Sequence, residues 1–253
     1  MALRLPASSY WRISRAPRYS LLFALPLLGT YEAMAALSGL QRGPQIRNGA
    51  DVLLTAVFAP VAGVHAGAVV LGLVVAVCVA VAAWDLRRAG GGLRGRVFAM
   101  MLAESAALAV VCGLVVGMAT TKLLHVVGPR LMVGAPTAGA VAHMAGPTRI
   151  MLALGAGLYE ELVFRVLLVG ALAFGFRRGL GTSPVTAGLL ASVVGALVFS
   201  AAHYVGAYGD PFTVQSFTFR ALAGLFFSIL FVTRGFGITA WAHALYDVLV
   251  LTL

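Results

Sequence analysis

The sequence predicts an all-α fold, a polytopic integral membrane bundle of about seven transmembrane helices. Hydrophobic residues make up 61% of the 253 residues and charged residues only 10%. Several apolar runs are long enough to cross a bilayer, which takes about 20 helical residues. No stretch between these runs is long enough to form a separate soluble domain.

Seven spans are predicted, separated by connectors that contain Gly or Pro. The spans cover residues 20–40, 55–84, 97–121, 148–174, 184–207, 217–233 and 236–252. The run from Asp51 to Ala83 is longer than one span needs, so we expect Pro60 to break it and its first third to be a surface segment. Residues 1–147 then form about three N-terminal spans with a basic cytoplasmic tail, and residues 148–253 form a core of about four spans.

The net charge of +10 does not indicate a nucleic-acid-binding surface, because the arginines lie in connectors and no basic patch is interleaved with aromatic residues. More basic residues fall on the side of the N-terminus than on the opposite side, which predicts an N-terminus inside. We expect a multi-pass protein of a bacterial cytoplasmic membrane, surrounded by the lipid bilayer, with no nucleic acid as partner. The run Leu21–Tyr31, followed by Ala33-Met34-Ala35, also fits a cleavable signal peptide, although we favour an uncleaved first span.

The fourth span carries three ionisable residues, Glu160, Glu161 and Arg165. Each ionisable group at the centre of a membrane helix costs about 2.5–3.5 kcal/mol, so three together favour a function over a structural ion pair alone. Glu161 and Arg165 are i,i+4 neighbours and are expected to pair. Glu160 is turned about 100° away from Glu161 around the helix and is left free for another role.

Two further polar motifs follow in later spans, each with i,i+4 spacing. Phe199 and His203 share one face of the fifth span. His243 and Asp247 share one face of the last span. A lone histidine in an apolar helix is more often a core group than a catalyst. Together with Glu160, however, these residues supply a carboxylate base, a second proton-handling group and a donor for an oxyanion.

In this order, the motifs resemble those of the CAAX protease and bacteriocin-processing (CPBP) family, intramembrane endopeptidases related to the CAAX prenyl endopeptidase. They read Glu160-Glu161-x-x-x-Arg165, Phe199-x-x-x-His203 and His243-x-x-x-Asp247. The resemblance covers residues 151–253 and implies a hydrolase: a membrane protease that cleaves a membrane-anchored protein or peptide.

The resemblance also implies roles for the motif residues. Glu160 would activate a water, and His203 would help to position or deprotonate it. Glu161 and Arg165 would fix the helix, with Phe199 in a supporting position. His243, together with the residue one turn later, would stabilise the oxyanion of the tetrahedral intermediate.

Three features of the chain differ from the family pattern or strain it. Asp247 stands where the family has Asn or Asp, and an ionised carboxylate can only accept hydrogen bonds. Asp247 is therefore either protonated or orients the His243 imidazole, and we favour the second. Val166 replaces a small glycine. The predicted spans also place Glu160 well below the outer end of its span and His203 near the outer end of the fifth, so the two meet only if one of these boundaries is wrong.

The same residues include enough donors for zinc or another divalent metal, through Glu160, His203, His243 and Asp247. The family is described both as metalloproteases and as glutamate-type proteases that need no metal. No HExxH pattern is present in the sequence, and we favour the metal-free mechanism.

The remaining polar residues of the apolar regions are expected to be interhelical hydrogen-bond partners or loop residues. They are Glu32, His65, Glu104, His125 and His143. Asp210, before Pro211, is expected to be a turn residue.

Two other function classes fit the same residues. One is a non-catalytic membrane peptide-binding or immunity protein that keeps the scaffold, although the chain has all the reactive groups. The other is a proton-coupled transporter, for which buried carboxylates and histidines are also suited. The two halves of the chain show no repeat, which counts mildly against transport.

Overall fold

The computed structural model describes residues 10–39, 46–90, 92–125, 140–206 and 209–252. Within these ranges every regular element is helical, which confirms the all-α class. The basic tail before residue 10 and the predicted connector at Gly43-Pro44 lie outside the described residues.

Ten α-helices and one π-helical segment make up the described fold, together with short 3₁₀ turns at Gly63–His65 and Ala140–His143. The α-helices are α1 (Tyr10–Ser14), α2 (Pro17–Gly39), α3 (Gly49–Ala62), α4 (Ala66–Ala89), α5 (Gly95–Leu124), α6 (Gly146–Gly155), α7 (Gly170–Gly179), α8 (Pro184–Ala202), α9 (Val214–Arg234) and α10 (Phe236–Thr252). The π-helical segment, Ala156–Val169, joins α6 to α7 and contains the first polar motif.

Five helices of the described chain are long and apolar enough to cross a membrane: α2, the α3–α4 stretch, α5, α8 and α9. This confirms an integral membrane protein but not the predicted count of about seven. The two other predicted spans correspond to the stretch from Gly146 to Gly179, which carries the charged motif, and to α10, a shorter apolar helix.

The long apolar run after Asp51 is broken, but at a different residue from the one predicted. Pro60 lies inside α3, and the chain breaks at Gly63–His65. Gly63 adopts a φ of 54°, a left-handed conformation that glycine tolerates without a steric penalty. The glycine, rather than the proline, ends α3.

Helix α10 lies at the centre of the bundle and packs against α2, α5, α6, α9 and the π-helical segment. Small side chains are buried on two sides of the helix: Ala240 and Ala244 pack in one core cluster and Ala242 in another, and all three are fully buried. In a bilayer, apolar burial gives no net drive for helices to associate, so small residues that allow close backbone contact matter more. A Cβ on Gly157 would lie 2.4 Å from the Ala240 carbonyl oxygen, which shows how closely the π-helical segment approaches α10.

Three helices begin with a side-chain cap. Asn48, Ser183 and Thr213 each accept a hydrogen bond from a backbone N–H in the first turn of α3, α8 and α9 respectively. Such caps satisfy N–H groups that the helix itself leaves unpaired.

The predicted spans place Glu160 and His203 at different depths in the membrane for two reasons. The fifth span is drawn too long, and depth is counted from the outer ends of the helices instead of from the connection between α7 and α8. Helix α8 ends at Ala202 and not at residue 207. Glu160 precedes the end of α7 at Gly179 by as many residues as His203 follows the start of α8 at Pro184. Because α7 and α8 are joined by a short connection, the two side chains reach the same depth.

Candidate active site

The predicted pair between Glu161 and Arg165 is present and almost completely buried. Arg165 Nη1 lies 3.2 Å from Glu161 Oε1, and the side chains are 2% and 0% exposed. The Arg165 guanidinium also covers the Phe199 ring at 4.3 Å from its centre and donates to the Gly224 carbonyl at 3.5 Å. Arg165 therefore ties the π-helical segment to α8 and α9.

Glu161 also fixes the His243 imidazole, a contact that the motif spacing does not predict. His243 Nδ1 lies 2.7 Å from Glu161 Oε1, and the ring stacks on Phe227 with centres 4.4 Å apart. A carboxylate that pairs with a guanidinium accepts hydrogen bonds, so the His243 Nδ1–H group is the donor in this contact. The other nitrogen, Nε2, faces the remaining motif residues, with Asp247 Oδ2 at 3.5 Å.

His203 is oriented by the backbone of its own helix. Its Nδ1 lies 2.8 Å from the Phe199 carbonyl oxygen. A carbonyl oxygen only accepts, so Nδ1 is the protonated nitrogen, and Nε2 has a free lone pair when the ring is neutral. The edge of the ring contacts Phe199 at a centre separation of 4.8 Å. Phe199 thus separates the Arg165 charge from the histidine and holds the imidazole in place.

Glu160 faces both imidazoles. Its Oε2 atom lies 3.9 Å from His203 Nε2 and 3.9 Å from His243 Nε2. Its Oε1 atom accepts a hydrogen bond of 3.0 Å from Asn48 Nδ2. Oε2 is buried and makes no hydrogen bond within the part of the chain that the structure describes. A separation of 3.9 Å is too long for a direct hydrogen bond and short enough for one water molecule to bond both groups.

The four predicted site residues therefore converge, with donor atoms 3.5–3.9 Å apart in the measured pairs. Two ligands of a tetrahedral zinc, each at 2.0–2.1 Å, would be about 3.3 Å apart. Among the residues that the structure describes, no group of three or more His, Cys, Asp or Glu side chains is arranged to hold a metal ion. The donor chemistry suits a divalent metal, and the measured spacing also leaves room for a shared water.

A polar network beside Glu160 was not predicted. Arg47 bonds both Glu32 and Asp51, and Tyr159 donates to Glu32 at 2.9 Å. Burial lowers the pKa of the Arg47 guanidinium, but hydrogen bonds to the two carboxylates outweigh this effect, so its pKa is raised and it stays charged. The Asn48-Gly49 sequence indicates a helix start, but no local signal relates it to Glu160.

The expectation for Asp210 was incomplete. Besides occupying a turn, Asp210 forms an ion pair with Arg220, and its backbone N–H donates to the His203 carbonyl at 2.9 Å. Arg220 lies within α9 and is only 8% exposed. These contacts fold the segment after α8 back onto α9 and restrain the backbone of His203.

The other polar residues follow the expectation. Glu104 joins α5 to α9 through Arg234, and Glu32 joins α2 to the chain before α3 through Arg47. His65 and His143 lie in 3₁₀ turns, and His125 ends α5.

Residues 142–249 match the family model described as "Type II CAAX prenyl endopeptidase Rce1-like". This match confirms the family resemblance that the motifs predict, and it includes all three motifs. Neither a curated protein nor a solved structure matches the chain.

Proposed function

We propose that the protein is an intramembrane endopeptidase that hydrolyses a peptide bond of a membrane-anchored protein or peptide. The observation that carries the proposal is Glu160 Oε2, a buried carboxylate oxygen that has no hydrogen bond to any described residue and faces two imidazole nitrogens at 3.9 Å. A buried oxygen without a partner is costly unless a substrate or water uses it. The family match over residues 142–249 supports the same activity.

In the proposed first step, one water lies between Glu160 Oε2 and His203 Nε2. Both atoms accept hydrogen bonds, so the two water protons point at them and the oxygen lone pair points away, toward the scissile carbonyl. Glu160 takes one proton as the water oxygen attacks the carbonyl carbon. A tetrahedral intermediate with a negatively charged oxygen results.

His243 is the donor for that oxygen in this proposal. Its Nδ1–H is held by Glu161, and a second proton on Nε2 gives an imidazolium flanked by Glu161 and Asp247. The two carboxylates stabilise the positive ring, and Nε2–H donates to the developing oxyanion. Asp247 thus acts through the imidazole.

Collapse of the intermediate breaks the carbon–nitrogen bond. The proton that Glu160 took from water passes to the leaving nitrogen, and the second water proton stays on the attacking oxygen, so the products are an amine and a carboxylic acid and Glu160 is ionised again. The sequence of proton transfers uses side chains alone.

The experiment uses the protein reconstituted in lipid vesicles with a peptide ending in a prenylated CAAX sequence, the substrate that the family description indicates. Wild type and Asp85→Asn, a variant far from the site, should give shorter peptide products by mass spectrometry, and Glu160→Gln should give none.

In parallel, protein termini in membranes that express wild type or Glu160→Gln at equal levels would identify natural substrates.

The rival functions give different results in the same assay. Peptide that binds but is never cleaved would favour a binding or immunity protein. Activity that depends on a proton gradient, without peptide products, would favour a transporter.

A further inference from the structure

Asn48 lies outside the region that matches the family model, immediately before α3, yet its side chain reaches the site. Its Nδ2 donates to Glu160 Oε1 at 3.0 Å across a sequence separation of 112 residues. Asn48 is only 7% exposed, so this hydrogen bond is largely shielded from competing water.

The orientation of the Asn48 amide is fixed by its second role. Its Oδ1 accepts the Ala50 N–H at 2.8 Å and caps α3. With the oxygen used by the cap, the amide nitrogen is the end that faces Glu160, and it can only donate. A carboxylate accepts such a bond without competing for a proton.

The Asn48 backbone is also held. Its N–H donates to Tyr31 Oη at 3.1 Å, and Tyr31 Oη donates in turn to Asp51 Oδ2 at 2.8 Å. A Cβ on Gly155 would lie 3.0 Å from Asn48 Cβ and 2.5 Å from the Tyr31 ring. Asn48 is therefore packed tightly between α2 and the end of α6.

We propose that Asn48 is a positioning residue: it occupies Oε1 of Glu160 and so turns Oε2 toward the two histidines. This inference rests on the proposed function. It also means that residues 142–249 do not complete the site alone, because the N-terminal helices supply the group that orients its carboxylate.

Two substitutions separate positioning from helix capping. Ser and Asp both cap helices about as well as Asn. Asn48→Ser keeps the cap and removes the donor, and kcat should fall about 10–100-fold, the usual loss for a residue that orients a catalytic group. Asn48→Asp keeps the cap and places a carboxylate against Glu160, so kcat should fall further. KM should change less than twofold in both, because Asn48 does not touch substrate.

Ser183→Ala is the matched control. It removes the cap of α8 at the far end of that helix from His203, so it should lower the unfolding temperature and leave kcat and KM unchanged. If both Asn48 variants kept kcat within twofold of wild type, or if Ser183→Ala lowered kcat as much as Asn48→Ser, the inference would be overturned.

A second measurement does not depend on catalysis. Unfolding temperatures of Asn48→Ser, Glu160→Ala (which, unlike Glu160→Gln, removes the acceptor) and the double variant form a cycle. A double-variant shift that differs from the sum of the single shifts supports Asn48 as the residue that holds Glu160, and additive shifts overturn it. If the wild-type protein did not cleave the peptide, the proposed function would be refuted. The unfolding cycle would still test the role of Asn48, so failure of the function and failure of the Asn48 proposal can be told apart.

Discussion

Two of the clusters of acidic and basic side chains in this bundle differ in how fully their hydrogen bonds are satisfied. In one, Glu104 accepts from Arg234 through both carboxylate oxygens, and Tyr10 donates to the same carboxylate. In the other, Glu160 accepts from Asn48 through one oxygen, and the second makes no hydrogen bond among the described residues.

This difference in hydrogen bonding distinguishes an ion pair that only holds helices together from a carboxylate that can take part in a reaction. The Arg234 guanidinium also bonds Ser14 and covers the Trp11 ring at 3.9 Å, so this cluster has few atoms left to bind anything else. A satisfied cluster holds helices together, whereas a buried oxygen without a partner among the described residues, such as Glu160 Oε2, costs free energy unless water or substrate bonds it.

The largest expected effect is the loss of cleavage in Glu160→Gln, by about 10⁴-fold in kcat/KM, because a general base contributes up to that factor. The amide keeps the bond from Asn48 and removes a buried charge, so the free energy of unfolding should rise by about 1 kcal/mol. Cleavage assays and reversible unfolding in detergent measure the two changes. A variant that is inactive because it is unstable would contradict this assignment.

Glu104→Gln should show the reverse behaviour. Removing one charge leaves Arg234 buried without a counter-ion, so the free energy of unfolding should fall by about 3 kcal/mol. The folded fraction should cleave at the wild-type rate, because Glu104 has no contact with the site. Asp85→Asn, which breaks the more exposed pair with Arg18, should cost less than about 1 kcal/mol and serves as control.

The sequence predicts the contacts within each motif and misses most contacts between distant segments. The Glu161–Arg165 pair was predictable because a helix fixes the geometry of residues four apart. The Asn48–Glu160 bond was not, because it depends on how α3 packs against the π-helical segment. The depth of Glu160 relative to His203 was predicted wrongly because hydrophobic periodicity identifies helices but does not show how two neighbouring helices are aligned along their axes.

The approach of the π-helical segment to α10 gives a third prediction. A Cβ on Gly157 would lie 2.5 Å from Ala244 Cβ, next to His243. Gly157→Ala should therefore cost about 2 kcal/mol through overpacking and lower kcat by separating Glu161 from the imidazole. Unfolding and cleavage are measured together.

Gly170→Ala, in the same continuous helical stretch, is the matched control. Beyond its own stretch of helix, no atom of the described residues lies within 4 Å of the Cβ that it would add, so stability and cleavage should stay close to wild type. Equal losses in the two variants would point to a general effect of glycine in this helix and would refute the close-contact explanation.

The smallest expected effect is that of metal removal. The Glu160 oxygen lies 3.9 Å from each imidazole nitrogen, whereas zinc ligands would be about 0.6 Å closer together. The hydrogen bond from Asn48 to Oε1 restrains the carboxylate and so opposes that contraction. We therefore expect dialysis against EDTA or 1,10-phenanthroline to leave the cleavage rate within twofold, with Glu160→Gln as the inactive reference. A cleavage rate that falls with chelator and returns with Zn²⁺ would show that Glu160 Oε2 is a metal ligand. The Glu104 cluster would then bind only protein groups, whereas the Glu160 cluster would bind a metal ion.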